Sequence, residues 1–147
     1  MANEWYAPRE IRFWPEHVEW ALTHLRELEA GQWPRNPRET GYTDVQGPKR
    51  GHNAYFETPV CLSAEIKVRV AMCGLDGKLA VQCLADGWDA QTLAELMHTS
   101  IYRIEARVRR VVRYCAGWRR RRMAYVEFSR RSGIREHYKR RAKINGH

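Results

Sequence analysis

The chain has no long apolar run. No stretch approaches the roughly 18 consecutive apolar residues that a membrane-spanning helix needs. The first residues also lack the charged-then-apolar pattern of a secretory signal peptide. These two absences predict a cytoplasmic protein that has no membrane partner.

Cysteine is scarce, and its spacing does not suit metal binding. The chain has 4 cysteines, and none of them forms the CxxC pair on which zinc knuckles depend. Each lies in an apolar stretch, so the sequence predicts small core residues in a reducing compartment. They are Cys61, Cys73, Cys83 and Cys115.

The common catalytic motifs are missing too. There is no HExxH, GxGxxG or Walker sequence. His17 and His24 lie seven residues apart on a predicted helix, but surface or partly packed histidines are far more common than metal ligands. Asp44, Glu57 and Glu65 do not form the acidic cluster of a nuclease. We therefore predict a non-enzyme with no catalytic residue, no metal and no cofactor.

Acidic residues are few in the last third of the chain. Residues 101–147 hold sixteen Arg or Lys but only three Glu, a net charge of +13, while residues 1–100 carry −4 of the total of +9. A basic third joined to a mildly acidic body predicts contact with a polyanion. Arginine predominates there, and it suits bidentate contacts to phosphate and guanine. A solubilising tail is the alternative.

The hydrophobic spacing predicts an all-α fold. Pro15 opens a predicted helix that runs to about Ala30 and ends at Gly31. Residues 31–59 contain four Gly and four Pro, which predicts a long loop. Residues 124–143 permit another helix, with Gly133 as its break. The predicted segments are 1–57, a helix and loop; 58–118, a DNA-binding domain; and 119–147, a basic extension.

Residues 60–84 leave two alternatives open. Apolar and polar residues alternate between Ile66 and Met72, which is compatible with a strand of a hairpin. The four-residue spacing of Leu62, Ile66 and Val70 is instead typical of a helix. We favour two helices, at about 60–73 and 77–86, broken between Gly74 and Gly77.

The most informative stretch is 88–118. It predicts a helix, a turn at residues 97–99 and a second, increasingly basic helix, which is the order of a helix-turn-helix. Asp89 is the predicted N-cap of the first helix, and Ser100 is that of the second. We expect the second helix to pack one face on the domain and to offer hydrogen-bond donors to DNA from the other.

The spacing within this second helix predicts which residues meet DNA. The face predicted to be buried carries Ile104, Val108, Val111 and Val112. The opposite face carries Tyr102, Arg103, Glu105, Ala106 and Arg109. N-terminal residues of a recognition helix reach deepest into the groove, so the predicted base contacts are Tyr102, Arg103 and Ala106. Arg103 suits guanine, and Ala106 suits a thymine methyl.

The other arginines are predicted to contact the DNA backbone. In the helix, those predicted at phosphates are Arg107, Arg109, Arg110 and Arg113. After it come Arg119, Arg120, Arg121 and Arg122, which can lie on the backbone or enter a minor groove. A flexible, solvated tail is the alternative for these last four.

The order of elements from about Ala64 to Gly117 resembles the C-terminal DNA-binding region of the sigma-70 superfamily. The matching phrases are LADGW, DAQTLAELM and SIYRIEARVRRV. Phage late-gene activators of the ArpU and RinA type are similar and continue into a basic extension, as YCAGWRRRRMAYVEF does here. The chain departs from this pattern at His98, where such turns usually carry Gly, and at Thr99, where they carry an aliphatic residue.

The resemblance implies a sequence-specific transcription regulator encoded by a phage or prophage. Its expected partner is double-stranded DNA, and RNA polymerase and a second copy of the chain are further candidate partners. The alternative is a DNA-packaging protein like a small terminase subunit, which uses a helix-turn-helix within a ring. No long heptad segment for such assembly is present, which favours the regulator.

Overall fold

A computed structural model describes residues 12–34, 58–117 and 123–145, and for a few residues of the last helix it describes the backbone alone. Every regular element in these ranges is helical, as the all-α prediction requires. No helix within the described part of the chain is long and apolar enough to cross a bilayer.

The N-terminal helix begins where the sequence predicts it. Helix α1 spans Pro15–Thr23, with proline at its first position, and α2 spans Leu25–Glu29 after a short break at His24. Gly31 then adopts a left-handed conformation with φ of 82°. Most of the predicted Gly- and Pro-rich loop lies outside the described residues.

Residues 60–84 are helical, so the hairpin alternative is wrong. Helix α3 spans Pro59–Ala71, α4 spans Gly74–Ala80, and a π-helical turn follows at Val81–Ala85. The two predicted helices are confirmed, but the break between them lies at Met72 and Cys73 and ends at Gly74, whose φ is 59°, rather than extending to Gly77.

Gly77 does not end a helix; it allows α3 and α4 to pack closely. A Cβ atom added there would lie 2.2 Å from the carbonyl oxygen of Val70. The backbones of α3 and α4 therefore approach more closely than any side chain at position 77 allows.

The last three helices follow short connections. Helix α5 spans Ala90–Leu96, α6 spans Ile101–Ala116, and α7 spans Tyr125–Asn145. The predicted break at Gly133 is wrong, because α7 runs through it. An isolated glycine costs a helix about 1 kcal/mol relative to alanine, and this does not by itself end the helix.

The main core includes residues from each of the three described ranges. It includes Leu22 and Leu28 before the long loop, Ile66 in α3, Val111 in α6 and Tyr125 in α7. This core therefore contains residues from both sides of the boundaries predicted near residues 57 and 118. A smaller cluster links α4, α5 and α6 through Leu79, Leu93, Ala94 and Ile104.

The cysteines divide into two groups. Cys73 and Cys115 are buried in the core, as predicted, and Cys83 is half-buried. The prediction for Cys61 is wrong, because it lies on the exposed side of α3. Its apolar neighbours Leu62 and Ile66 lie on the other side of the helix and fill the core.

A buried arginine holds the end of α6. The Arg69 Nε donates to Glu65 Oε1 at 2.7 Å, and its Nη1 donates to the carbonyl oxygen of Cys115 at 2.7 Å. The guanidinium also lies over the Phe13 ring, 4.7 Å from its centroid. The last carbonyls of a helix lack partners within it, so Arg69 satisfies one of them from a different helix.

Candidate nucleic-acid interface

The two predicted helix caps of the α5–α6 pair are confirmed. The Asp89 carboxylate accepts from the Gln91 N–H at 3.4 Å, and the Ser100 hydroxyl accepts from the Arg103 N–H at 3.2 Å. Each cap satisfies an N–H that has no partner within the helix, and this fixes where the helix begins.

The connection between α5 and α6 depends on a left-handed residue. His98 has a φ of 53° and is the one non-glycine residue with a positive φ in the described ranges. The Thr99 N–H donates to the Ala94 carbonyl at 2.9 Å, which closes the end of α5. The side-chain oxygen of Thr99 is buried without a hydrogen-bond partner. Both residues stand where the chain departs from the sigma-70 pattern.

Substitution of His98 tests this turn. We expect His98→Gly to leave stability unchanged or to raise it by up to about 1 kcal/mol, because glycine adopts φ near 50° without strain. His98→Val should lower stability by about 1–2 kcal/mol, since a β-branched residue strongly disfavours this conformation. Urea denaturation of the two variants beside the wild type measures both effects. A valine variant as stable as the glycine variant would contradict the role of the left-handed turn.

Five exposed polar or aromatic residues of α6 are together called the α6 face: Tyr102, Arg103, Glu105, Arg109 and Arg113. Tyr102 is 43% exposed, and the Arg109 guanidinium lies over its ring at 6.0 Å. Tyr102, Arg109 and Arg113 follow each other at seven and four residues, so they share one side of the helix. Opposite them, Ile104, Val111 and Val112 are buried as predicted, while Val108 is only partly buried.

Ala106, which the sequence places at a base edge, is buried in the described structure. Its side chain is 3% exposed, so it does not reach a thymine methyl in this conformation. Alanine has the shortest side chain in this part of α6, and residues three and four positions away flank it on the helix surface. These neighbours are Tyr102, Arg103, Arg109 and Arg110, whose side chains are far longer.

Arg107 and Arg110 lie on the side of α6 that meets other elements. Arg107 is partly buried, and its Nε is 3.8 Å from the Asp76 Oδ1 in α4. Arg110 is also partly buried, and an added Cβ at Gly133 would lie 3.7 Å from its Nη2. A phosphate contact by either arginine has to coexist with these protein contacts.

Asp76 also anchors the C-terminal helix. The Tyr125 hydroxyl donates to the Asp76 Oδ2 at 2.7 Å. Burial of the phenol, followed by this hydrogen bond, raises the pKa of Tyr125, so the hydroxyl keeps its proton, and its hydrogen bond to Asp76, to a higher pH than an ordinary tyrosine does. Tyr125 and Phe128 pack edge-on against Tyr114 of α6, at 5.2 and 5.3 Å between ring centroids.

The basic extension is only partly within the described residues. The predicted backbone contacts at Arg119, Arg120, Arg121 and Arg122 lie outside them. In α7, the exposed basic side chains are Arg130, Arg131, Arg135, Lys139, Arg141 and Lys143. None of these six is among the DNA contacts predicted from the sequence. The high positive charge of residues 101–147 was the feature that could have indicated them.

The chemistry offered by the α6 face is that of hydrogen bonding and charge. It combines three guanidinium groups, a phenol and one carboxylate, groups that pair with base edges and phosphates. Among the described residues, no three His, Cys, Asp or Glu side chains are grouped so that they could hold a metal ion. Comparison with protein-family models, curated proteins and solved structures found no match.

Proposed function

We propose that this chain is a sequence-specific transcription regulator, encoded by a phage or prophage, that places α6 in the major groove of double-stranded DNA. The observation that supports this best is that the first turns of α6 have one exposed side and one buried side. Tyr102 and Arg103 are exposed, whereas the adjacent Ile104 is fully buried against α4 and α5. A recognition helix needs this division, because one side must pack while the other meets bases.

The dimensions of α6 also support the proposal. Its 16 residues correspond to a length of about 24 Å, and a major groove about 12 Å wide admits an α-helix. Arg103 lies in the first turn and suits guanine, while Arg109 and Arg113 lie farther along and suit phosphates. We propose RNA polymerase and a second copy of the chain as further partners.

Selection of bound duplexes from a random pool, followed by sequencing, tests this function. A single enriched motif is the expected result, and failure to enrich any motif would contradict sequence-specific binding. Light scattering on the same preparation separates the regulator from a packaging protein. A monomer or dimer supports the regulator, whereas a ring of eight or more subunits would favour packaging.

Two neighbouring substitutions separate base contact from packing in α6. Arg103→Ala removes exposed donors, so we expect an unchanged fold and a loss of about 1–3 kcal/mol at the preferred site, with relaxed preference at one base pair. Ile104→Ala is the matched control. It removes fully buried methylene groups and should cost about 2–5 kcal/mol of stability.

Thermal melts and binding to specific and scrambled duplexes measure both variants. The assignment of faces fails if Arg103→Ala lowers the melting temperature more than Ile104→Ala does. Equal weakening on both duplexes would instead make Arg103 a phosphate contact.

A further inference from the structure

One acidic side chain lies on the otherwise basic and aromatic α6 face. Glu105 is exposed, and no described side chain is paired with it. Arg109 is suitably placed for an ion pair, four residues farther along the same helix. Its guanidinium lies instead over the Tyr102 ring. Glu105 therefore takes no part in the ion pairs that hold the described fold together.

A carboxylate facing DNA is unfavourable unless it accepts a hydrogen bond, because the phosphates repel it. The major groove presents two kinds of exocyclic amine, N4 of cytosine and N6 of adenine. Adenine carries the acceptor N7 beside its amine, and this lone pair repels a carboxylate. Cytosine presents N4 alone on its major-groove edge, so it is the better partner for a glutamate.

We propose that Glu105 determines specificity by accepting a hydrogen bond from the N4 amine of a cytosine in the major groove. The DNA site of this chain then contains a C·G pair opposite the second turn of α6. This inference rests on the proposed function, and it adds one residue and one base to it. The exposure pattern of the second turn is consistent with it, because Glu105 is exposed there, whereas Ile104 and Ala106 are buried and Arg107 and Val108 are partly buried.

Selection from a random duplex pool with three variants tests the inference. Wild-type protein should enrich cytosine at one position. Glu105→Gln should change that preference to adenine, since an amide donates to N7 and accepts from N6. Glu105→Ala should lose the preference, with about tenfold less discrimination between C and its substitutes in direct titrations. Glu19→Gln removes the same charge from an exposed position on α1 and should keep the wild-type motif.

Other results of this selection would contradict either the role of Glu105 or the proposed function. If the wild type enriches a motif that both Glu105 variants share, the assignment of Glu105 fails while specific DNA binding stands. A uniform gain in affinity of Glu105→Ala for all duplexes would make Glu105 merely a repelling charge. If the wild type prefers adenine and the Glu105 variants lose that preference, the base that Glu105 contacts is not cytosine. If the wild type enriches no motif, the proposed function fails as well.

Discussion

Raising the salt concentration from about 50 to about 200 mM is expected to weaken DNA binding by roughly 10³- to 10⁵-fold. The reason is the release of counterions from about six to ten neutralised phosphates. Arg109 and Arg113 on the α6 face are the exposed arginines of α6 assigned to this role. We expect the basic extension to supply the remaining contacts.

Fluorescence anisotropy with a labelled duplex at several salt concentrations measures this dependence. Arg113→Gln should reduce the slope of log affinity against log salt by about one and weaken all sequences alike. Arg26→Gln is the matched control, because this exposed arginine of α2 is not among the residues expected to contact DNA. A nearly flat salt dependence of the wild type would contradict the phosphate contacts.

Arg69→Ala is expected to cost about 3–5 kcal/mol of folding stability. Its side chain and that of Glu65 are only 8% and 10% exposed. Removing the guanidinium leaves a buried carboxylate without its counter-charge, and it also removes a hydrogen bond to the Cys115 carbonyl. Denaturant titration followed by circular dichroism measures the loss.

Lys67→Ala is a close control from the same helix. Lys67 also pairs with a glutamate, Glu29, but its side chain is 52% exposed. Exposed ion pairs contribute about 0–1 kcal/mol, so the loss should be small. A second comparison is the double variant Glu65→Leu with Arg69→Met, which removes both charges. It should be more stable than Arg69→Ala. Equal stability of Arg69→Ala and Lys67→Ala would contradict the buried pair.

The sequence was sufficient to predict features that depend on neighbours along the chain. Asp89 and Ser100 cap α5 and α6 because a cap needs only a suitable side chain two or three residues before an N–H. The buried positions of Ile104 and Val111 follow from the period of one helix. Whether α6 binds DNA stays a prediction, as does the role of the four arginines after Trp118.

Other features depend on contacts between distant elements, so local spacing could not predict them. In the sequence, Gly77 suggests a break between two helices. In the structure, the backbone of α3 lies against it, and Gly77 permits this close packing. Ala106 belongs to the outer side by helical period, yet it is buried. Arginine is usually a surface residue, so the sequence does not predict that Arg69 is buried. Its partner, the Cys115 carbonyl, lies 46 residues away.

The far end of α6 is tied to the beginning of the described chain. The Phe13 N–H donates to the Ala116 carbonyl at 2.9 Å, directly after the Cys115 carbonyl that Arg69 occupies. The α5–α6 pair is therefore not a portable module. If it were excised or grafted onto another scaffold, both carbonyls would lose their partners, and the apolar side of α6 would lose the helices α1 and α4 that pack against it. Fusions and fragments of this protein should keep Phe13 together with Ala116.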